Sequence, residues 1–427
     1  MKLLLVAPRW PENSLWGQIY FRFPYLGLTT LAALTGEEWD ISIIDENVTS
    51  LDSAPEADLV GITLMTPLAG RGYAIADRFR EKGIPVVLGG IHPTKMEEEA
   101  RSHADSIVLG EAEGVWPQVL ADFKENRLRP FYRSGEHRDL ADLPFPRRDL
   151  LDRKAYFFIN TLQTTRGCPF DCEFCSVTSF YGRTYRIRPV QDVLDEMAGM
   201  ERGFVFFVDD NIVGNPSYAK ELFRALIPLR IKWFSQASLS IVRDPELLRL
   251  AGESGCKGLF IGFESLSQEN LKAIGKSMNR AAEYRDAVRK IHDHGIGIQG
   301  SFIFGADEDD KSVFSDVLRF IERTHIEAAL FSVLTPFPGT RIREWLRAQN
   351  RIIHNDWEKY DMNHVVFKPR KMNPEELQAG LEWAYRKLYG YSSILKRLFP
   401  FNRNALFFGI QNLGFRKAWE KVLKGET

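Results

Sequence analysis

The sequence predicts an α/β protein in which a doubly wound parallel sheet is followed by a second parallel unit and a helical C-terminal segment. Two observations lead to this prediction. Over residues 1–135, short apolar runs alternate with amphipathic stretches and no hairpin signal intervenes, which favours a parallel sheet. The alternation resumes over residues 159–372, where six strand-helix repeats favour a full or partial (β/α) barrel.

The composition is that of an ordinary globular enzyme. The chain has 427 residues, of which 44% are hydrophobic and 26% charged, and its net charge is -1. A balanced charge produces no field that draws the whole protein to nucleic acid. Four cysteines, three of them clustered, do not resemble a secreted disulfide framework, and no run of about 18 apolar residues predicts a membrane span. We therefore expect a cytoplasmic protein.

The N-terminal region, residues 1–135, contains five strand-like runs with helical stretches between them: KLLLVAP, DISIIDEN, DLVGITLM, PVVLGG and DSIVLGEAE. Ligands of doubly wound sheets bind beyond the carboxyl ends of the strands. The residues expected at those ends are Pro8, Asp45, Thr63, Gly89, Gly90 and Gly110.

Residues 136–158 are charged and include Pro144 and Pro146, which is typical of a linker. The barrel strands expected beyond this linker are FINTLQTT, FVFFVDDN, WFSQASLS, GLFIGFES, IQGSFIFG and ALFSVLTPFPGT. We call the end of this unit where the strands reach their carboxyl termini the mouth, because (β/α) barrels carry their sites there. Residues 373–427 are predicted to be helical.

Three cysteines, Cys168, Cys172 and Cys175, follow the first barrel strand in the spacing C-x3-C-x2-C. A structural zinc site normally needs four ligands, and no second Cys/His pair stands at finger spacing. A redox C-x-x-C pair leaves Cys168 without a role. Three thiolates suit a [4Fe–4S] cluster in which the protein holds three irons and the fourth stays open. A zinc-binding loop remains the alternative.

This cysteine motif, with the aromatic Phe174 before its third cysteine, resembles the signature of radical S-adenosylmethionine (radical SAM) enzymes. The resemblance implies that the open iron binds the methionine part of S-adenosylmethionine. It also implies reductive cleavage of that cofactor to a 5′-deoxyadenosyl radical, which abstracts a hydrogen atom. The reducing electron would come from an external donor such as flavodoxin or ferredoxin.

Other residues at the strand ends match positions of the same family. The resemblance implies that Asp209, Asp210 and Asn211 lie where the methionine amino group is recognised, although one of them could instead cap the following helix. Gln236 would contact the cofactor or face outward. Glu264 would approach the cofactor or cap the helix that begins at SQENLKAI.

Three further features belong to this part of the chain. Gly305 matches the glycine of the fifth strand, which lets backbone approach the adenine side, and TPFPGT, residues 335–340, matches the sixth-strand turn. Cys256 is expected to be a small buried residue rather than a fourth ligand. Arg183, Tyr185, Arg186 and Arg188 follow the cysteines and either bind an anionic substrate group or form a solvated loop.

The N-terminal region resembles the N-terminal domain of cobalamin-dependent radical SAM enzymes through FPYLGLTTLAALTG, IIDEN, VGITLMTP, VVLGGIHPT and IVLGEAE in that order. The familiar motif Asp-x-His-x-x-Gly is absent, and His92 is not in that arrangement, so the lower face of cobalt would lack a protein histidine. The resemblance implies that cobalamin is bound by residues at the sheet edge: Pro8, Thr63, Leu64, Gly89, Gly90, Gly110 and Glu111.

The C-terminal segment is basic and aromatic, because residues 386–427 hold nine Lys or Arg against two Glu. Such a helix can lie on a membrane surface, which suits a lipid-like substrate. The alternative is a helical cap in which long basic side chains extend to solvent. No nucleic-acid-binding module follows the barrel.

Together these resemblances imply a cobalamin-dependent radical SAM enzyme that methylates an unactivated carbon of a small-molecule or lipid-like substrate. Two alternatives stay open. The protein could catalyse a radical cyclisation, rearrangement or carbon–carbon bond formation without methyl transfer. It could also be a regulatory protein that senses cobalamin or an iron–sulfur cluster, in which case it would release no 5′-deoxyadenosine.

Overall fold

The computed structural model describes residues 1–427 except 13, 20–21, 54, 136, 157–158, 202, 400–403 and 425–427. Phe158 of the predicted first barrel strand, and Phe401, Arg403 and Glu426 of the C-terminal segment, lie outside the described residues. The chain forms two compact units. One comprises Met1–Ile159 with Asp356–Asp361, and the other comprises Asn160–Asn355 with Met362–Thr427.

The first unit is a six-stranded parallel sheet with the strand order β2-β1-β3-β4-β5-β6. Strand β2 lies on one side of β1, and strands β3 to β6 follow on the other side, so the strand order reverses between β1 and β3. The strands are β1 (Lys2–Ala7), β2 (Asp40–Asp45), β3 (Leu59–Thr63), β4 (Val86–Gly89), β5 (Ser106–Leu109) and β6 (Phe131–Arg133). The helices are α1 (Leu26–Ala33), α2 (Ala69–Arg80), α3 (Ile91–Lys95), α4 (Glu97–Arg101) and α5 (Trp116–Lys124).

Both faces of this sheet are covered, as β1 illustrates. Leu4 and Val6 point into one hydrophobic cluster, and Leu3 and Leu5 point into the other. A strand buried on both faces is apolar throughout, which is why KLLLVA does not alternate. The predicted doubly wound parallel sheet is confirmed.

Six residues from the later part of the chain, Asp356–Asp361, also belong to the first unit. Trp357 donates from its indole nitrogen to Glu99 at 2.9 Å, and Ser14 donates to Asp361 at 3.4 Å. The βα alternation of the sequence predicts these six residues within the barrel, residues 159–372. Nothing in their composition marks them, because such an exchange depends on contacts between distant parts of the chain.

The second unit is an open six-stranded parallel sheet whose strands follow one another in chain order, β7-β10-β11-β12-β13-β14. The described residues show no pairing between β7 and β14, so the barrel is partial. The strands are β7 (Thr161–Leu162), β8 (Thr165–Gly167), β9 (Tyr185–Ile187), β10 (Phe204–Phe207), β11 (Lys232–Ala237), β12 (Cys256–Glu264), β13 (Gly297–Phe304) and β14 (Ala328–Val333), of which β8 and β9 form a separate antiparallel pair.

The second unit has eleven described helices, several of which, such as α8, cover the outer face of this sheet. They are α6 (Ser176–Tyr181), α7 (Val190–Ala198), α8 (Pro216–Leu226), α9 (Pro245–Glu253), α10 (Gln268–Ala273), α11 (Tyr284–Asp293), α12 (Val313–Thr324), α13 (Arg341–Ala348), α14 (Pro374–Leu388), α15 (Tyr391–Leu398) and α16 (Ala405–Lys424). Among the described residues, no helix is both long enough and apolar enough to cross a membrane.

Alternation along the strands separates the two faces of the barrel sheet. Trp233 packs on Phe223 of α8 at 5.1 Å between ring centroids and faces outward. Its neighbour Phe234 faces the opposite side, where it stacks on Phe206 at 5.3 Å. The barrel interior is therefore lined by aromatic side chains in its lower half.

The C-terminal helices close the barrel at the end opposite the mouth, which we call the closed end. Phe408 of α16 packs against Gly258 near the start of β12, and Asn404 donates to the carbonyl of Gly295, just before β13 begins. Phe407 stacks on Phe204 at 5.1 Å inside the barrel. The predicted helical cap is present, and it seals the closed end.

Candidate active site

The three predicted ligands lie in one loop at the mouth, residues 168–175, which we call the cysteine loop. It begins directly after β8, and Cys175 precedes the first residue of α6. Gly167 has φ 89°, and a Cβ there would clash with the carbonyl of Thr184, so the entry to the loop requires glycine. Cys168, Cys172 and Cys175 are all partly buried and free of disulfides.

The environment of the cysteines fits an iron–sulfur cluster, in which iron ions neutralise the thiolates. Burial raises the pKa of Cys172 to about 12, so a thiolate there needs a neutralising cation. Within the part of the chain that the structure describes, no three His, Cys, Asp or Glu side chains converge as the ligands of a single metal ion do. A cluster does not require that convergence, because each cysteine binds a different iron.

Asp209, at the end of the β10 strand, is fully buried and braces the backbone that leads into the cysteine loop. Its Oδ1 accepts hydrogen bonds from both the backbone and the hydroxyl of Thr164 and Thr165, at 2.9 and 3.1 Å for Thr164. Its Oδ2 has no partner among the described residues. Burial raises the pKa of Asp209 to about 7.

Asp210 and Asn211 continue this bracing toward the loop. Asp210 accepts from the Gly167 backbone at 3.0 Å, and Asn211 directs its amide nitrogen at Cys168 Sγ, 3.9 Å away. None of the three polar residues caps the next helix, because Asn215 accepts from the Tyr218 backbone and caps α8. The capping alternative is therefore wrong for these positions.

Glu264 ends β12 at a bulge in the strand and has φ 67°, which is uncommon for a residue other than glycine. It is only 6% exposed and forms an ion pair with Lys276 at 2.6 Å. Ser301 donates to its second oxygen at 3.2 Å. Ser267, and not Glu264, caps α10.

Lys276 is the side chain at the mouth that the sequence analysis missed. Burial by itself lowers the pKa of Lys276, but Glu264 and Cys172 outweigh burial and raise it. Gly275 beside it approaches the carbonyl of Asp171, so this segment packs directly on the cysteine loop. Lys276 lies three residues after the end of α10, where a lysine is usually exposed, so only the fold reveals its burial.

Gln236 and Gly305 are placed by their strands. Gln236 is half-buried and shares the inner face of the sheet with Phe234, two residues earlier, so the outward-facing alternative is wrong. Gly305 has φ 96°, and a Cβ there would press on Leu377 and Phe367. Local packing is therefore sufficient to require this glycine.

Phe174, the aromatic residue of the cysteine motif, is half-buried within the cysteine loop.

Helix α13 holds the cysteine loop from outside. Arg341 donates to Glu173 Oε2 at 2.6 Å, to Asp171 Oδ1 at 2.7 Å and to the Asp171 carbonyl at 2.8 Å. The backbone N–H of Ile342 donates to the carbonyl of Glu173 at 3.1 Å. The turn TPFPGT ends directly before α13 and thus positions Arg341, which holds the cysteine loop.

Of the basic residues that follow the cysteine loop, Arg183 and Arg188 lie beside acidic side chains of the chain itself. Arg188 is buried and forms an ion pair with Glu196, and Tyr185 donates to the carbonyl of Asn211 at 2.9 Å. Arg183 lies 3.8 Å from Asp171. Cys256 is fully buried in β12 and donates to the carbonyl of Gly258, as expected of a residue that is not a ligand.

In the first unit, the predicted residues lie along the carboxyl edge of the sheet. Pro8 follows β1 and Thr63 ends β3, so both flank the point where the strand order reverses. Gly89 leaves open space, since the nearest described atom to a Cβ there is Val108 at 3.8 Å. A large ligand can approach the backbone at that position.

The structure gives four other predicted cobalamin contacts, Leu64, Gly90, Gly110 and Glu111, a role within the fold of the first unit. Leu64 is fully buried and packs on Gly72, so only its backbone reaches the edge. Gly90 has φ 101° and lies against the Leu64 carbonyl, so it is required by the fold itself. Glu111 is buried and lies 3.0 Å from His137 Nδ1, and Gly110 has φ 85°.

His92 is buried and engaged within the first unit. Its Nδ1 lies 3.4 Å from the Thr66 hydroxyl and its Nε2 lies 3.3 Å from Glu99. Its ring packs edge-on against Trp357 at 5.3 Å. Both ring nitrogens are occupied, which agrees with the absence of a cobalamin-ligating histidine motif.

Comparison with known proteins identifies both units. The model of the radical SAM superfamily matches residues 162–321, and that of the B12 binding domain matches residues 15–120. A bacteriochlorophyllide d C-12(1)-methyltransferase of Chlorobaculum tepidum is 34% identical, covering 93% of this chain and 89% of the relative. The C-8(2)-methyltransferase of the same organism is 29% identical, covering 94% of this chain and 93% of the relative.

Among solved structures, the radical S-adenosylmethionine methyltransferase TsrM of Kitasatospora setae, with cobalamin and a [4Fe-4S] cluster bound, has the same fold. The TM-score is 0.70 at 17% identity, covering 98% of this chain and 99% of that one. The enzyme uses a [4Fe–4S] cluster, S-adenosylmethionine and cobalamin. The chain belongs to the cobalamin-dependent radical SAM enzymes, and it is a C-methyltransferase of that family.

Proposed function

We propose that the protein methylates an unactivated carbon on the periphery of a large, mostly apolar polycyclic molecule, with a tetrapyrrole as the first choice. The observation that carries this proposal is the similarity over 93% of the chain to a methyltransferase that acts on bacteriochlorophyllide d. The barrel interior supports it, because Phe206 and Phe260 are only partly buried there. Flat apolar ligands pack favourably on such rings.

We assign the cluster to Cys168, Cys172 and Cys175. When bound, the cluster supplies the electron that cleaves S-adenosylmethionine, and cobalamin supplies the methyl group. Asp209 and Asp210 hold the start of the loop, and they do so by accepting backbone hydrogen bonds. A braced loop presents its thiols without further ordering, which favours metal binding.

For S-adenosylmethionine, the proposed contacts are the polar groups that reach the mouth. Asn211 lies beside Cys168, and Gln236 faces the interior. Glu264 and Lys276 form a buried pair with charges of both signs, as the amino and carboxyl groups of the methionine part require. Phe174 and Gly305 shape the site through packing and backbone.

Cobalamin is assigned to the carboxyl edge of the first sheet. Pro8, Thr63, Gly89, Gly90 and Gly110 offer backbone and small side chains there, and Glu111 and the backbone of Leu64 complete the edge. His92 does not contribute a ligand to cobalt, because its nitrogens face Thr66 and Glu99.

Two partners are part of this proposal. An external protein such as flavodoxin or ferredoxin delivers the electron, because reductive cleavage of S-adenosylmethionine consumes one electron at the cluster. A cytoplasmic protein that serves an apolar substrate also gains from lying on a membrane. The exposed residues Tyr391, Leu395, Phe399, Leu406, Ile410 and Leu413 of the C-terminal helices support such a contact.

The test is anaerobic reconstitution with iron, sulfide and hydroxocobalamin, followed by turnover with methyl-labelled S-adenosylmethionine and bacteriochlorophyllide d. We expect about four irons and one cobalt per chain, and label in the pigment. Cys168→Ala protein is the control. If 5′-deoxyadenosine forms and the pigment changes without gaining label, the non-methylating radical reaction replaces the proposal. If no 5′-deoxyadenosine forms under any reductant, the sensor alternative replaces it.

A further inference from the structure

A groove on the outer surface of the second unit combines cations with an exposed aromatic side chain. It encloses about 570 Å³ and is lined by Trp345, Gln349, Arg351, Lys368, Pro369 and Arg370, which we call the basic groove. Trp345 is 42% exposed, and Arg351 lies over its ring at 5.2 Å. Tryptophan and arginine are the residues most enriched at the centres of protein interfaces.

The charge of the groove is positive. Arg351 pairs with Asp307 at 2.8 Å, and Arg370 lies 3.6 Å from the same carboxylate, so two cations share one acid. Lys368 is exposed and adds a third cation. Next to the groove, Lys371 is neutralised by Glu308 at 2.5 Å. The excess of positive charge therefore lies at Lys368 and Arg370.

Helix α13 connects the basic groove to the cysteine loop. Trp345 and Gln349 line the groove from the later part of the helix and its end, whereas Arg341 and Ile342 at its start bind Asp171 and Glu173 of the loop. The eight residues of the helix span about 12 Å along its axis. A molecule seated in the groove is thus within one short helix of the loop assigned to the cluster.

We propose that the basic groove is the docking site for an acidic one-electron carrier protein. This inference rests on the proposed function, since only a redox cluster at the loop needs such a partner. In the step, the carrier's reduced flavin or iron–sulfur centre loses one electron and is oxidised, and the cluster gains that electron. No bond to the carrier forms, and charge complementarity selects the acidic partner.

The test compares two double charge reversals of equal size. The groove variant is Lys368→Glu with Arg370→Glu, and the matched control is Arg280→Glu with Arg289→Glu, whose side chains are 68% and 63% exposed elsewhere on the unit. Binding of a flavodoxin to the reconstituted enzyme is measured by calorimetry at several salt concentrations. Release of 5′-deoxyadenosine is measured with reduced flavodoxin and, separately, with titanium citrate.

We expect the groove variant to bind flavodoxin about tenfold more weakly and to lose most of the salt dependence. The control variant should stay within about twofold of the parent, and both variants should turn over normally with titanium citrate. Equal flavodoxin binding by the parent and both variants would overturn the docking assignment. An equal loss of flavodoxin binding in both variants would also overturn it. Weaker substrate binding confined to the groove variant would overturn it as well and would make the groove a substrate site. Absence of turnover with titanium citrate in the parent would instead count against the proposed function.

Discussion

The mouth and the closed end of the second unit each bury an ionisable side chain, but the two side chains bind different backbone groups. At the mouth, Asp209 accepts from the N–H groups of Thr164 and Thr165. At the closed end, Arg397 donates to the carbonyls of Glu327 and Leu388 and to Asn412. The acid orders a strand that leads into a ligand loop, and the cation joins helices into a seal. The difference shows that a buried ionisable side chain orders the start of a loop at one end and joins helices at the other.

The largest effect should come from the mouth. Individual changes of Cys168, Cys172 or Cys175 to Ala should abolish formation of 5′-deoxyadenosine and remove most of the bound iron, because each thiolate holds one iron. Cys256→Ala is the matched control and should retain iron, since this thiol is buried in β12. The measurement is iron content and turnover after reconstitution. Full iron retention in any of the three variants would refute the cluster assignment.

The next effect should come from the closed end. Arg397→Ala removes hydrogen bonds to two carbonyls and an amide and leaves a cavity, so the free energy of unfolding should fall by about 3–5 kcal/mol. Lys396→Ala, on the exposed face of the same helix, should change it by less than about 0.5 kcal/mol. Urea denaturation measures both. Similar losses of unfolding free energy in the two variants would show that the hydrogen bonds of Arg397 do not hold the closed end together.

The third prediction concerns pH at the mouth. Because the pKa of Asp209 is raised from 3.8 to about 7 by burial, the unfolded chain releases this proton first. Stability should therefore fall as pH rises between these values, by up to roughly 4 kcal/mol, and level off above them. In Asp209→Asn this fall is absent. Urea midpoints of both proteins at about pH 5 and about pH 8 test it. Parallel pH profiles would mean that Asp209 is already ionised in the folded protein.

The smallest effect concerns the outer surface of the closed end. Leu406→Gln with Leu413→Gln should lower binding to vesicles of anionic phospholipid by roughly tenfold, because Leu406 is 80% and Leu413 51% exposed. Ile227→Gln with Leu229→Gln, on another exposed part of the unit, is the control. Vesicle sedimentation measures binding. Self-association of the parent that the first pair abolishes, with no vesicle binding by the parent, would assign this face to a second copy.

Local patterns were sufficient where the chemistry is local. The cysteine spacing lies within eight residues, so it predicted the loop at the mouth. Apolar runs predicted both parallel sheets, since strands covered on two faces are apolar throughout. Polar residues that end strands were predicted at the mouth, but their hydrogen-bond partners within the chain could not be read from the sequence. Asp209 Oδ1, for example, accepts from the backbone of Thr164, which lies 45 residues earlier. Its place beside a cofactor stays a prediction.

The sequence by itself determined the fold class and the order of the units, because these depend on periodicity. It also predicted the three cluster ligands, from their spacing within one segment and from the resemblance to radical SAM enzymes. Only the tertiary structure decided that Lys276 is buried beside Glu264, that Arg341 clamps the loop, and that α16 seals the barrel from the end opposite the mouth. Each of these is a contact between segments far apart in the chain. Such contacts depend on how helices and strands pack, and no local pattern of residues specifies them.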